Sequence, residues 1–446
     1  MTFAEPASAR AVRVRSTRAR DGSTETLDDA ILRGLAPDGG LYLPTRVPPL
    51  PSDWRKAPSL ADVAVRVLAP WWGEAADEVA PLLRDALDFD TPVRPLSEGR
   101  WLLELFHGPT LSFKDVGARV MARLASRALR RRGGRATVLV ATSGDTGSAV
   151  ADGFAGIPNV RVALLYPRGR VSEVQERQLI LARPGVRAFA VEADFDACQR
   201  LVKGAFADPA LAPLGLTSAN SINIGRLLPQ MLYYLRGVQA LERADAGTPY
   251  VVVPSGNLGN LTGGVLAAEA GLETTGFLAA HNANDFLPTY LAGLRGADDS
   301  PATVATWSNA MDVGAPSNFE RLHAWLGPAL ADRVEATSID DEATLARLRR
   351  TWDEDGVEVC PHTAVGLEAF ARRRAAGDAA AAGPALVLAT AHPAKFPDAA
   401  RTATGRAPEP PPALAALADA PTRAEPLSAD PAALREALLH GAWPDV

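Results

Sequence analysis

From Trp101 onward the chain alternates apolar runs of strand length with segments that carry apolar residues at helical spacing, and this alternation constrains the fold more than any other feature. Residues 137–141, 160–165, 186–191, 250–253 and 385–389 read as buried strands. Residues 116–131, 147–155, 195–207 and 225–239 read as the helices between them. A strand, a helix and a further strand in regular succession are βαβ units around a parallel sheet, so the fold class is α/β.

Three regions follow from the changes of rhythm. Residues 1–95 hold a short strand at 12–15, a helix from Thr26 to Arg33 stopped by Gly34, a turn at Pro37-Asp38-Gly39-Gly40, and two helical stretches around Trp71 and Trp72. The arginines at 10, 13, 15, 18 and 20 also permit an organelle leader, but Glu5 and Asp21 interrupt them and the alternation of 12–15 favours a strand. Residues 96–406 carry the βαβ pattern. Residues 407–446 begin with the prolines of 408–412 and read as a Pro/Ala-rich linker and a helix packed on the surface.

Composition removes several functions. The net charge of −6 argues against a dedicated nucleic-acid binder, and no run approaches the roughly 18 apolar residues of a membrane span. Two cysteines without CxxC spacing, Cys198 and Cys360, suit a reducing, cytoplasmic setting, and six histidines without HxxxH or HExxH spacing leave no metal site expected.

Ligands of parallel sheets bind outside the carboxyl ends of strands, which directs attention to the glycine-rich turns there. One is Ser255-Gly256-Asn257-Leu258-Gly259-Asn260, either an anion cradle of backbone N–H groups or a tight strand-to-helix turn. It matches neither Walker A nor GxGxxG. The other is Thr142-Ser143-Gly144-Asp145-Thr146-Gly147-Ser148, either a carboxylate site with Asp145 as an acceptor or an N-capped turn. The cations are almost all arginine, and the lysines are Lys56, Lys114, Lys203 and Lys395. Lys114 opens a helix, where the dipole disfavours a positive charge and favours a nucleophilic amine; the alternative is a surface lysine paired with Asp115. Lys56 and Lys203 read as solvated. The arginines of 127–135 read as dipole complementation at a helix end rather than an RNA-binding module.

The segment Phe106-His107-Gly108-Pro109-Thr110-Leu111-Ser112-Phe113-Lys114-Asp115 resembles the lysine motif of the threonine synthase family, enzymes of pyridoxal phosphate (PLP) fold type II. Ser16-Thr17-Arg18, the block 34–44, Asn220-Ser221-Ile222-Asn223, Ser308-Asn309-Ala310-Met311-Asp312-Val313, Pro316-Ser317-Asn318-Phe319 and the block 390–396 are similar to its other signatures. Cys360, before Pro361-His362-Thr363, departs from the acidic residue common there and leaves the role of His362 open.

The resemblance implies parallel-sheet αβα domains with an added N-terminal domain. It implies Lys114 as the Schiff-base lysine, Gly256, Asn257, Leu258, Gly259 and Asn260 around the PLP phosphate, Asp145 at its phenolic oxygen and Thr390 at its ring nitrogen. Ser143 and Thr146 are the implied contacts of the substrate carboxylate. Arg226, with Asn220, Ser221 and Asn223, is the implied phosphate site, a helix-capping role being the other reading of Arg226. Lys395 reads as structural or electrostatic rather than as a second catalytic lysine. The implied reaction turns O-phospho-L-homoserine and water into L-threonine and phosphate, with Lys114 as the proton-transfer base, in a monomer or homodimer. A phospho-lyase of the same fold, releasing 2-oxobutyrate, and a non-catalytic cofactor-binding homologue are the alternatives.

Overall fold

The apolar runs become neighbouring strands of two parallel sheets in the computed structural model, which describes residues 10–445. The first nine residues of the N-terminal region, Glu5 among them, lie outside the described residues. One sheet has the order Glu425–Leu427, Val186–Val191, Val160–Pro167, Ala136–Ala141, Leu216–Thr217, all parallel. Every residue of Ala136–Ala141 and of Val186–Val191 is buried, which is why these runs lack the alternation of a strand with one wet face. The other sheet has the order Val334–Ser338, Gly276–His281, Tyr250–Pro254, Ala385–Ala389, Arg100–Glu104, Val93–Pro95, with only Val93–Pro95 antiparallel.

The helix Lys114–Arg132 buries Val116, Val120, Leu124 and Ala128, the residues that repeat every four positions. It stops at Gly133, whose φ of 67° is left-handed. Two helix expectations are corrected. The segment read as one helix over 225–239 is Ile224–Leu227, a 3₁₀ turn Leu228–Gln230, and Met231–Arg243, because Pro229 has no N–H for the helical ladder. The helix read from 147 begins at Asp145.

The N-terminal region forms a small antiparallel sheet in which Arg13–Ser16 pairs with both Glu25–Thr26 and Tyr42–Pro44. Thr26 caps the helix Leu27–Arg33 by accepting from Asp29 N–H, and Gly34 ends it at φ 79°. This region is tied to the long helix by charge: Arg127 meets Asp28 at 2.8 Å and Glu78 at 3.0 Å, Arg131 meets Glu78, and Arg132 meets Asp29. Arg127, Arg131 and Arg132 at that helix end therefore face partners within the chain. Trp72 adds a bond from Nε1 to Asp28.

The last region does more than the expected linker and surface helix. Glu425–Leu427 joins the sheet edge beside Val186–Val191, and Arg187 Nε donates to Glu425 Oε1 at 2.9 Å. The helix Pro431–His440 buries Leu434 and Leu438 in one cluster with Cys198 and Leu201. Among the described residues no helix is long and apolar enough to cross a membrane, no His/Cys/Asp/Glu group has the arrangement of a metal site, and Cys198 and Cys360 are free, buried thiols.

Candidate active site

Three adjacent parallel strands deliver three of the expected residues to one edge. Tyr250–Pro254 leads into the Gly256–Asn260 loop, Ala385–Ala389 into Thr390, and Arg100–Glu104 into the turn before Lys114. Backbone bonds lock the last two together: Leu105 N donates to Ala389 O at 2.9 Å, Phe113 N to Thr390 O at 2.9 Å, and His392 N to Leu111 O at 3.0 Å. Within the turn, Thr110 donates to Asp115 from its N–H at 2.9 Å and from its hydroxyl. The Asp115 carboxylate thus faces back into the turn instead of pairing with Lys114. Burial pushes Asp115 up to about 6, against those hydrogen bonds.

The second sheet brings its own carboxyl ends to the same place. Ala136–Ala141 delivers the 142–147 turn, and the neighbouring Leu216–Thr217 delivers residues 218–223. Lys114 Nζ lies 3.9 Å from Asp145 Oδ2, across the junction of the two sheets. Lys395, wholly buried, lies 2.7 Å from Asp145 Oδ1 and donates to Thr110 O at 2.8 Å, and Gln175 Nε2 donates to Asp145 Oδ1 at 3.1 Å. Burial opposes a charge on Asp145, but Lys395 and then Lys114 outweigh it and hold the carboxyl well below its usual range. Lys114 has its side chain 14% exposed, and its ammonium is pushed down chiefly by burial, with Lys395 and Arg226 adding to the effect against Asp145. Loss of water around the amine is thus the largest of these effects, larger than any neighbouring charge. Lys56 and Lys203 are exposed.

The Gly256–Asn260 loop is narrow. A Cβ on Gly256 would stand 2.7 Å from Met311 Cα, and Leu258 adopts a left-handed φ of 60° as the cap of the helix Gly259–Glu269. Asn257 bridges two walls, donating to Ser221 Oγ at 2.6 Å and accepting from Ser317 N at 2.5 Å. Asn260 Oδ1 accepts from Tyr234 at 2.9 Å, while its Nδ2 is buried without a partner. In the 142–147 turn, Thr142 Oγ1 accepts from Gly144 N at 3.1 Å and Gly147 N at 2.9 Å, so Thr142 supplies the capping. Ser143 is exposed and Thr146 half-buried.

The four residues of the proposed phosphate group separate. Asn223 caps a short helix and donates to Ile31 O and Ser218 O at 2.9 and 2.8 Å, so its amide is committed to backbone. Arg226 is buried, donates to Ala219 O, has no carboxylate within ion-pair distance among the described residues, and leaves Nε unpartnered. Burial brings its guanidinium down to about 10. Asn220 keeps Oδ1 unpartnered, and Ser221 holds Asn257.

Other residues at the site escaped the sequence reading. Tyr233 donates to Phe113 O, next to Lys114, and Tyr234 to Asn260, so consecutive residues of one helix grip both loops; as core aromatics in a helix they carry no distinguishing signal. Arg321, wholly buried, donates to Tyr42 O at 3.0 Å and to the carbonyls of Ser221 and Ile222, joining the N-terminal sheet to the cleft wall. His362 lies buried near Asp145, Lys114 and Lys395.

Family models match in succession along the chain: "Threonine synthase N terminus" at 13–85, "Pyridoxal-phosphate dependent enzyme" at 87–391, and "Threonine synthase, C-terminal" at 363–438. Threonine synthase of Escherichia coli K12 is 39% identical over 419 residues, which cover 92% of this chain and 96% of that one. The crystal structure of PLP-bound threonine synthase from Brucella melitensis superimposes with a TM-score of 0.88 at 34% identity, over 97% of this chain and 99% of its own. The yeast enzyme gives 0.89 at 29% identity, over 98% and 99%.

Proposed function

The chain belongs to the threonine synthase family, and from that premise we propose that it converts O-phospho-L-homoserine and water to L-threonine and phosphate with pyridoxal phosphate as cofactor. The observation that carries this reading is the half-buried Lys114 amine at the junction of two loop sets, 3.9 Å from a carboxylate kept ionised by a second lysine. The residues present fit the cofactor. The Gly256 cradle has no room for a Cβ, Asn260 Nδ2 is a buried donor without an acceptor, and the next helix starts within the loop, at Gly259. In this reading Gly256, Asn257, Leu258, Gly259 and Asn260 hold the cofactor phosphate, Asp145 its phenolic oxygen, Thr390 its ring nitrogen, and Lys114 its aldehyde carbon.

When bound, PLP supplies an electron sink that allows carbons next to the amino-acid nitrogen to lose protons. The remaining work falls to side chains. Lys114 takes the Cα proton, then a Cβ proton, returns one at Cγ once phosphate has left, and returns the other at Cα after water adds its hydroxyl at Cβ, the water's second proton going to the departing phosphate. Arg226, a buried guanidinium that donates to Ala219 O and keeps Nε unpartnered, together with Asn220, draws the substrate phosphate, which leaves from Cγ. Ser143 and Thr146, at the open side of the 142–147 turn, are placed for the substrate carboxylate. Asn223 and Ser221 act behind them, through the backbone of 218–223 and through Asn257. Binding the remote phosphate orients the substrate for several proton transfers at adjacent carbons, so homoserine without it loses turnover as well as affinity.

The division into residues 1–95, 96–406 and 407–446 belongs to the same reading. A cytoplasmic location agrees with two free buried thiols. A monomer or homodimer is expected by light scattering. The decisive experiment incubates the protein with O-phosphohomoserine and measures phosphate, threonine and 2-oxobutyrate together. Equal phosphate and threonine support the reading; phosphate with 2-oxobutyrate and almost no threonine reassigns the protein as the phospho-lyase.

A further inference from the structure

His362 is the second residue of the helix Pro361–Ala375 and is 2% exposed. Its Nε2 lies 3.1 Å from the backbone N–H of Ala310, which can only donate. Nε2 therefore accepts, and a neutral ring carries its proton on Nδ1. The ring is neutral at ordinary pH: burial foremost brings it down to about 3, with Lys114 and Lys395 adding and Asp145 opposing. Nδ1–H is then a buried donor, and among the described residues no side chain or carbonyl accepts from it. Phe396 packs with its ring centre 4.8 Å away at 65°, offering only a π-face.

The bond from Ala310 also fixes where this donor stands. Ala310 belongs to the turn Asn309–Met311, and Met311 closes the wall of the Gly256 cradle. The charges that act on the ring are Asp145, Lys114 and Lys395, the groups at the centre of the cleft. A buried N–H donor with no acceptor in the chain needs one from outside it, water or a bound molecule, and the charged groups around this ring are those of the cleft.

We propose that His362, held as the Nδ1–H tautomer by Ala310, donates a hydrogen bond to an oxygen of the molecule bound beside Lys114. The proposal rests on the reading of that cleft as the cofactor and substrate site. The oxygen is the cofactor's or the substrate's, and the two are separated by titrating PLP into the apo protein and O-phosphohomoserine into the holo protein.

Two variants divide the ring's functions. In His362→Asn the amide nitrogen replaces Nδ1 and the acceptor for Ala310 is lost; in His362→Gln the amide oxygen replaces Nε2 and the donor is lost. The expected result is that His362→Asn stays within about 3-fold of the parent, while His362→Gln weakens binding about 10-fold or more. The loss appears in the PLP dissociation constant if the oxygen is the cofactor's, and in the substrate affinity alone if it is the substrate's. The reverse order, Gln tolerated and Asn damaged, means the ring only supports Ala310 and overturns the proposal. Unchanged binding in both variants assigns Nδ1–H to the Phe396 face and overturns it as well. Should a variant not fold, ¹⁵N spectra of the histidine-labelled parent decide: a protonated Nε2, or an Nδ1–H signal that neither ligand moves, refutes it. Failure of the broader reading looks different, since the parent protein would then not take up PLP in a borohydride-reducible form.

Discussion

Replacing Asp115 by Asn should stabilise the protein at neutral pH. Asp115 is 1% exposed under the Thr110 turn, and burial lifts its carboxyl from 3.8 to about 6. A folded-state pKa above the unfolded one means that the folded chain holds the extra proton between these two values. The associated stability is fully present below 3.8 and is lost as pH rises through about 6. At ~1.4 kcal/mol per pH unit, the interval from 3.8 to about 6 corresponds to about 3 kcal/mol at pH 7.5. In Asp115→Asn the amide oxygen keeps the bond from Thr110 N–H, and the amide nitrogen donates to the Thr110 hydroxyl. The variant should therefore exceed the parent by about 1–3 kcal/mol at pH 7.5, with the advantage fading towards pH 4. Urea unfolding of both proteins, followed by tryptophan fluorescence from pH 4 to pH 8, measures this; titrating groups that do not interact with Asp115 cancel in the difference. A difference that does not change with pH, or a variant weaker than the parent at pH 7.5, refutes the reasoning.

Lys114→Ala should abolish both turnover and borohydride-reducible PLP, whereas Lys56→Ala and Lys203→Ala, at exposed positions, keep both; reduction followed by peptide mapping identifies the lysine. Gly256→Val should weaken PLP binding at least ~10-fold, because its Cβ meets the backbone of Met311 rather than a movable side chain; a parent-like dissociation constant would remove the cradle assignment. Lys395→Met strands Asp145 in the interior beside a single lysine, so burial then raises the carboxyl. Breaking such a buried pair should cost about 3–5 kcal/mol in apo-protein unfolding, and a change below ~1 kcal/mol would show the pair to be dispensable.

The strands at 186–191 and 385–389 were readable to the residue, since a run buried on both faces has no competing pattern. The short strand Glu425–Leu427 was not, because a three-residue edge containing proline carries almost no periodic signal. Lys114 was legible from scarcity of lysine and from its place before a helix, although the reason for its lowered pKa lay in burial that only packing creates. The opposite fate of Asn223 and Arg226 was also invisible: three residues apart in one polar block, one amide is consumed by backbone carbonyls and one guanidinium is left with a free nitrogen. The order in which Tyr250–Pro254, Ala385–Ala389 and Arg100–Glu104 lie side by side depends on long crossovers that no local pattern encodes.

The strand Glu425–Leu427 also has a consequence in time. Arg187 sits at the rim of Val186–Val191 and finds Glu425 only 238 residues downstream. At the ~5–20 residues per second of protein synthesis, the apolar rim of that strand stands uncovered for roughly 10–50 s after it leaves the ribosome. An open strand edge in that interval can pair with the same edge of another nascent chain. The final forty residues thus act as a late closure, and Pro426, which has no N–H to offer, ends the ladder once it is in place. Nascent chains arrested before Glu425 should accordingly accumulate in the insoluble fraction while full-length chains do not, and equal solubility of the two would show that the rim is shielded by other means.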